Sequence, residues 1–176
     1  EEKCVDVIHT SPSHHFPTGI VMPVSRRYEL LGWAAKSPDH YIIEDDYDSK
    51  LTYAGKPIPA LQGLDSNGKV VYIGTFSRSI APSVRIAYLV LPPALLQRYH
   101  DRCAQYSPTV SRFEQHTLFA FMQRGHFERC LNRKRTAYRK RRDALVSALR
   151  HNQLHISGAN AGLHCLLHVQ SKLPEH

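Results

Sequence analysis

The chain has 176 residues, 42% of them hydrophobic and 22% charged, with a formal net charge of +8. That length and apolar content suffice to bury a core as one domain or part of a larger one, and they exclude a disordered chain. The longest apolar runs, such as residues 86–91, are too short to span a bilayer. Glu1-Glu2-Lys3-Cys4 lacks the basic and then apolar regions of a signal peptide, so the expected location is the cytoplasm, with no membrane partner. Cys4, Cys103, Cys130 and Cys165 lie far apart and form no C-x-x-C pair, which indicates reduced structural thiols rather than a zinc site or a disulfide framework. Much of the positive charge sits in Arg133, Lys134, Arg135, Arg139, Lys140, Arg141 and Arg142, on one predicted helix. No helix-turn-helix or zinc-finger pattern accompanies it, so the run reads as a solvated face rather than a DNA-groove reader.

In chain order, residues 5–9 (VDVIH) form a predicted strand, followed by a turn-rich, histidine-bearing loop at residues 11–19. A helix follows, with Ser25 as its N-cap and Tyr28, Leu31 and Ala35 as its apolar stripe, stopping near Pro38-Asp39. Tyr41-Ile42-Ile43 is a second strand that runs into the acidic cluster Glu44-Asp45-Asp46-Tyr47-Asp48. A loop with Gly55, Pro57, Pro59 and Gly63, then a turn at Asn67-Gly68, leads to a third strand at residues 70–74. That strand ends in Thr75-Phe76-Ser77-Arg78-Ser79, and residues 85–91 are a fourth. Strands alternating with a helix or a long connection imply an α/β fold with a mainly parallel sheet covered by helices. Residues 95–107 and 111–152 read as helical, the latter broken around Gly125, and residues 155–158 and 163–169 as two strands of a further unit.

In open α/β sheets ligands bind outside the carboxyl ends of the strands, where three unusual segments fall. Asp45 and Tyr47 are two residues apart and project to one side if strand geometry persists. A carboxylate there can hold a heteroaromatic nitrogen protonated, and a phenol beside it can hydrogen-bond a ring oxygen. A hard-cation site using Asp46 and Asp48 and a solvated acidic turn are rival readings, and the cluster alone leaves all three open. Thr75 and Ser77 offer hydroxyls, and Arg85 a bidentate fork suited to phosphate. The Pro17-Thr18-Gly19 turn would close the same edge.

Three runs, SPSHHFPTGIVMPVSRRYELLGWAA, YIIEDDYDSKLTYAGKPIPALQGLD and VVYIGTFSRSIAPSVRIAYLVLPP, resemble the aminotransferase-like domain of the MocR/GabR group of GntR-type bacterial transcription regulators. The resemblance covers nearly the whole chain. It implies a fragment of a fold-type-I, pyridoxal 5′-phosphate (PLP)-dependent transferase large domain over residues 1–130. Residues 131–176 would be a linking helix and the beginning of the small C-terminal domain. Such regulators join a winged helix-turn-helix to a domain that binds PLP and senses an amino-acid-like or vitamin B6 effector, and they work as homodimers. By the same resemblance Asp45 pairs with the pyridine nitrogen, Tyr47 with the ring hydroxyl, and Thr75, Ser77 and Arg85 surround the phosphate. DNA contact, the first half of the lobe and the effector-carboxylate arginine are expected to belong to segments outside this chain.

Members of the group read T-F-S-K-S where this chain reads Thr75-Phe76-Ser77-Arg78-Ser79. The lysine forms a Schiff base through a neutral amine, whereas a guanidinium stays protonated and is a poor nucleophile. The expected function is therefore effector sensing with PLP held non-covalently, Arg78 donating hydrogen bonds in the pocket, and no transamination. A degenerate lobe that no longer binds PLP is one alternative. A class I aminotransferase is another, opposed by Arg78 and by Phe16, which stands where ordinary aminotransferases place an asparagine before Pro-Thr-Gly. A metal module at residues 44–48 has no supporting ligands elsewhere in the sequence, so no resident metal is expected.

Overall fold

The computed structural model describes residues 6–53 and 58–169. Its main sheet has the order β1-β2-β3-β4, with β1 Val7–Thr10, β2 Tyr41–Asp46, β3 Val70–Thr75 and β4 Ala87–Val90. The first three strands are parallel, and β4 runs antiparallel to β3 with Thr75 opposite Ala87. One edge of the sheet therefore gathers the carboxyl ends of β1, β2 and β3 together with the amino end of β4. Parallel neighbours need crossovers. Here α1, Val24–Ala34, joins β1 to β2, and a single turn, α2, Leu61–Leu64, interrupts the connection from β2 to β3 that sequence reading takes as loop throughout. Of that connection, Gly55 and Pro57 lie outside the described residues, as do Val5 of the first predicted strand and Cys4.

The core is built where α1 and α2 cover the sheet: Leu31, Ala34, Ile42, Leu61 and Val70 are buried, with Leu30, Trp33 and Leu64 packed against them. Ile42 pairs with Ile8 on one side and Val70 on the other, so this apolar layer follows from the period-two alternation of β2.

Helix α1 departs from expectation in two ways. Pro23 is its N-cap, so Ser25 lies inside the first turn, and the helix ends at Ala34 instead of near Pro38. Its buried residues are Arg27, Leu31 and Ala34, whereas Tyr28 is 57% exposed and Ala35 is also exposed. The cause is Arg27. Its Nε donates to the Met22 carbonyl at 3.2 Å, Nη1 to Pro59 at 2.8 Å and Nη2 to Pro12 at 3.0 Å. The buried carboxylate of Glu44 lies 4.0 Å from Nη1 and balances the charge. A guanidinium with its donors satisfied can occupy a core position that composition would assign to an aliphatic side chain.

The last third matches the sequence reading closely. Helix α3 spans Pro93–Cys103, α4 Arg112–Gln123 and α5 His126–His151. Ser111 caps α4 in a reciprocal capping box with Glu114, and Gly125, at φ 69°, supplies the left-handed residue that separates α4 from α5. Strands β5, His155–Ser157, and β6, Leu166–His168, form a separate antiparallel pair. Of the basic run on α5, Arg133, Arg139, Lys140 and Arg141 are exposed as a solvated face should be. Arg135 instead donates from Nε to the Lys50 carbonyl at 2.6 Å, and Arg142 stacks over Tyr53, so part of the run fastens α5 to the segment after β2.

Arg27→Ala strands three carbonyl acceptors and the Glu44 charge, and is expected to lower the unfolding free energy by about 3–5 kcal/mol. Arg27→Lys should recover only a minor part, because one ammonium lacks the planar fork that reaches three carbonyls. Urea denaturation midpoints measure both. A change below about 0.5 kcal/mol in Arg27→Ala would contradict this account.

Candidate functional site

Strand geometry divides the acidic cluster. Along residues 41–48 burial alternates strictly, so Glu44, Asp46 and Asp48 are buried while Asp45 and Tyr47 stand half-exposed on the other side. The three buried carboxylates have separate structural duties. Glu44 accepts hydrogen bonds from the backbone N–H groups of Leu61 and Gln62, at 2.9 Å each, and so caps α2. Its pKa is raised by burial, opposed by those two N–H groups. Asp46 accepts from the Ser49 N–H at 3.1 Å and from the hydroxyls of Ser49 and Tyr72. Asp48 accepts from His14 Nδ1 at 3.1 Å. Asp46 and Asp48 thus serve different protein partners.

The face carrying Asp45 and Tyr47 opens toward the shared edge of the sheet. The Asp45 carboxylate lies 3.6 Å from Nε2 of the exposed His9, a loose pairing that leaves it available. The Tyr47 hydroxyl donates to the His14 carbonyl at 2.6 Å. Its pKa is pushed up to about 12, first by burial and then by the Asp48 charge, against an opposing effect of Arg78. The phenol is therefore neutral at physiological pH, and its oxygen retains lone pairs to accept a further hydrogen bond. Exposed Arg78 comes from the end of β3 and holds its guanidinium carbon 5.5 Å from the centre of the Tyr47 ring, a cation–π distance.

Thr75 and Ser77 lie at the same end of β3. The Ser77 hydroxyl donates to the Val84 carbonyl at 2.7 Å, and the Thr75 hydroxyl is 3.3 Å from the Ile86 carbonyl. These bonds hold the turn that brings Arg85 back beside the carboxyl end of β3. Arg85 is exposed and in no ion pair among the described residues. The residues fit the charge pattern of PLP: an uncommitted carboxylate for a pyridinium and an unpaired guanidinium for a phosphate. The hydroxyls of Tyr47 and Ser77 donate to backbone in this structure and remain acceptors.

A set of residues that sequence reading missed ties this edge to the segment after α5. His14 is buried with Nδ1 on Asp48 and Nε2 3.1 Å from the Gly158 carbonyl, and its ring lies 4.0 Å from that of His164. Burial lowers the His14 pKa, but the Asp48 hydrogen bond and charge and the Gly158 carbonyl outweigh it, so the net direction is upward. For His164 burial and then the His14 charge lead downward. Phe16 packs edge-on against His164, 5.3 Å between ring centres. The Pro17-Thr18-Gly19 turn meets this segment directly: a β-carbon on Gly19 would lie 2.8 Å from the Gly158 Cα. The HH pair in the first loop was a signal, but its partners lie 34 and 144 residues away in the chain. Cys103, Cys130 and Cys165 are free thiols of intermediate burial.

Gly162 closes the cluster. At φ 67°, a β-carbon there would lie 2.0 Å from His14 Nδ1 and 2.3 Å from Asp48 Oδ2. Gly162→Ala is expected to destabilise the chain by at least about 2 kcal/mol through clash and left-handed strain. Thermal denaturation of the variant beside Gly63→Ala, whose β-carbon meets nothing within 4 Å, measures the difference.

The family model described as aminotransferase class I and II matches residues 1–174. Among curated proteins, the uncharacterized helix-turn-helix-type transcriptional regulator YhdI of Bacillus subtilis is 44% identical over 166 residues, 93% of this chain and 35% of YhdI. The probable rhizopine catabolism regulatory protein MocR of Rhizobium meliloti is 36% identical over 144 residues, 82% of this chain and 29% of MocR. Aromatic-amino-acid aminotransferase 1 of Thermococcus litoralis is 30% identical over 149 residues, 85% of this chain and 36% of that enzyme. The crystal structure of Pyrococcus horikoshii kynurenine aminotransferase superposes with a TM-score of 0.82 at 28% identity, covering 97% of this chain and 43% of that one. The chain thus spans about a third of the length of these curated relatives. The likeness to transcription regulators and the α/β fold of a fold-type-I large-domain fragment agree with the sequence reading.

Proposed function

The chain belongs to the aminotransferase class I and II family, and from that premise we propose that it is the effector-sensing, PLP-binding part of a bacterial transcription regulator and does not transaminate. The observation that carries this reading is Arg78, which stands where the family resemblance puts the Schiff-base lysine and rests over Tyr47 at 5.5 Å. A permanently protonated guanidinium there can neither bond covalently to an aldehyde nor shuttle a proton from a substrate carbon.

When bound, PLP would supply an electron-withdrawing ring and an anionic phosphate. Asp45 would hold the ring nitrogen protonated, Tyr47 would accept from the ring hydroxyl, and Arg85 would donate to the phosphate, joined by Thr75 and Ser77 once their hydroxyls turn from the Ile86 and Val84 carbonyls. Arg78 would donate hydrogen bonds toward the aldehyde side or meet an anionic ligand. In this reading residues 1–130 belong to the large lobe and residues 131–176 to a linking helix and the small lobe. The effector is amino-acid-like or a vitamin B6 compound, and the full-length protein is a cytoplasmic homodimer that contacts DNA through a separate helix-turn-helix domain. The similarity to YhdI and MocR supports the regulator. No helix among the described residues is long and apolar enough to cross a membrane. The 30% identity to an aminotransferase keeps an enzyme as the second reading, and Arg78 weighs against it.

Equilibrium dialysis with PLP should show binding that borohydride cannot fix to the protein, whereas Arg78→Lys should gain the mass of one fixed cofactor on borohydride treatment. Arg85→Ala should weaken binding by about tenfold or more, through loss of a charge-assisted contact. Failure of Arg78→Lys to be labelled, in a full-length context, would reject the pocket assignment.

A further inference from the structure

We propose that His14, Asp48 and His164 form a site for one zinc-class divalent cation, joining the first loop and the end of β2 to the segment before β6. One ligand atom from each residue lies within 4.8 Å of the others, and His14 and Asp48 are almost fully buried. His14 Nε2 faces the Gly158 carbonyl at 3.1 Å. In the metal-free chain Nδ1–H donates to Asp48; the ion would displace that proton, so that the Nδ1 lone pair and the Asp48 carboxylate both face it while Nε2–H keeps its bond to the Gly158 carbonyl. A carbonyl partner on the far nitrogen is how metal-bound imidazoles are oriented.

The Nδ1 to Oδ2 separation of 3.1 Å is close to the roughly 3.3 Å between neighbouring ligands that sit about 2.0–2.1 Å from a tetrahedral ion. The third donor comes from across the junction. His164 Nε2 is buried and has no hydrogen-bond partner, a state that protein interiors rarely tolerate without an ion or water. Two imidazoles and one carboxylate suit zinc and its neighbours better than calcium or magnesium, which take oxygen donors. Three protein ligands leave a fourth position for water or an external donor. Asp46 takes no part, being committed to Ser49 and Tyr72. The site stands independently of the cofactor reading, because none of its three donors is assigned to PLP.

The test titrates the metal-free 176-residue chain with zinc against a chromophoric chelator, with cobalt as a spectroscopic substitute that reports tetrahedral coordination. One equivalent should bind. Asp48→Asn and His164→Ala should each weaken it by at least about tenfold, with circular dichroism confirming that each variant is folded. Half-exposed His164 is the safer variant of the two. His155 and His168, with ring centres 4.6 Å apart on the β5–β6 pair, offer an adventitious site, so His168→Ala is the control and should bind as the parent does. Absence of zinc binding, an unchanged affinity in His164→Ala, or loss of binding in His168→Ala would overturn the proposal and leave His14 and Asp48 as an imidazolium–carboxylate pair.

Discussion

The two-residue period of β2 decides what each side chain of the acidic cluster can do. Backbone pairing to β1 and β3 holds the strand extended through Asp46, and the alternation of burial continues to Asp48. Even-numbered carboxylates are pressed into the protein, where each must find donors to offset its desolvation. They find them in the α2 terminus, in Ser49 with Tyr72, and in His14. The odd-numbered Asp45 and Tyr47 are left facing the edge where Arg78 and Arg85 arrive. A one-residue slip would exchange the two sets and abolish both.

The other parts of the site reach this edge through topology. β4 runs antiparallel to β3, so Arg85, just before β4, returns to the end where β3 finishes. Arg27 and Glu44 hold α1, α2 and the first loop in place through buried polar contacts, and His14 then carries that loop to Gly158 and His164. Lys134 and Arg135 of α5 add contacts to the carbonyls of Arg78 and Lys50. The segment after α5 is thus bound to the sheet edge by polar groups and glycine contacts more than by apolar packing. In the proposed reading, an effector that changed these contacts would be felt by the junction, and Arg78 would favour that response over chemistry.

Much of this was legible in the sequence because it depends on local signals. Apolar runs with turn residues marked all four strands of the main sheet, and the lone Gly125 marked the break between two helices. The same-side placement of Asp45 and Tyr47 followed from period two alone. What escaped depends on partners distant in the chain. Arg27 reads as a surface residue until three carbonyls from residues 12, 22 and 59 converge on it. Glu44 reads as one more acid until a helix terminus 17 residues on meets it. His14 gains a role only when Asp48, Gly158 and His164 come together. Even the N-cap of α1 shifted, because the buried anchor at Arg27 set the helix's rotation and start in place of the Ser25 signal.

The division of the acidic cluster is tested most directly by comparing neighbouring, isosteric changes. Urea denaturation of Asp45→Asn and Asp46→Asn should separate the two faces. The account predicts that Asp45→Asn stays within about 0.5 kcal/mol of the parent while Asp46→Asn loses about 1–3 kcal/mol, since an amide at Asp46 sets an N–H₂ group against N–H and O–H donors. Equal losses at the two positions, or a larger loss at Asp45, would contradict it.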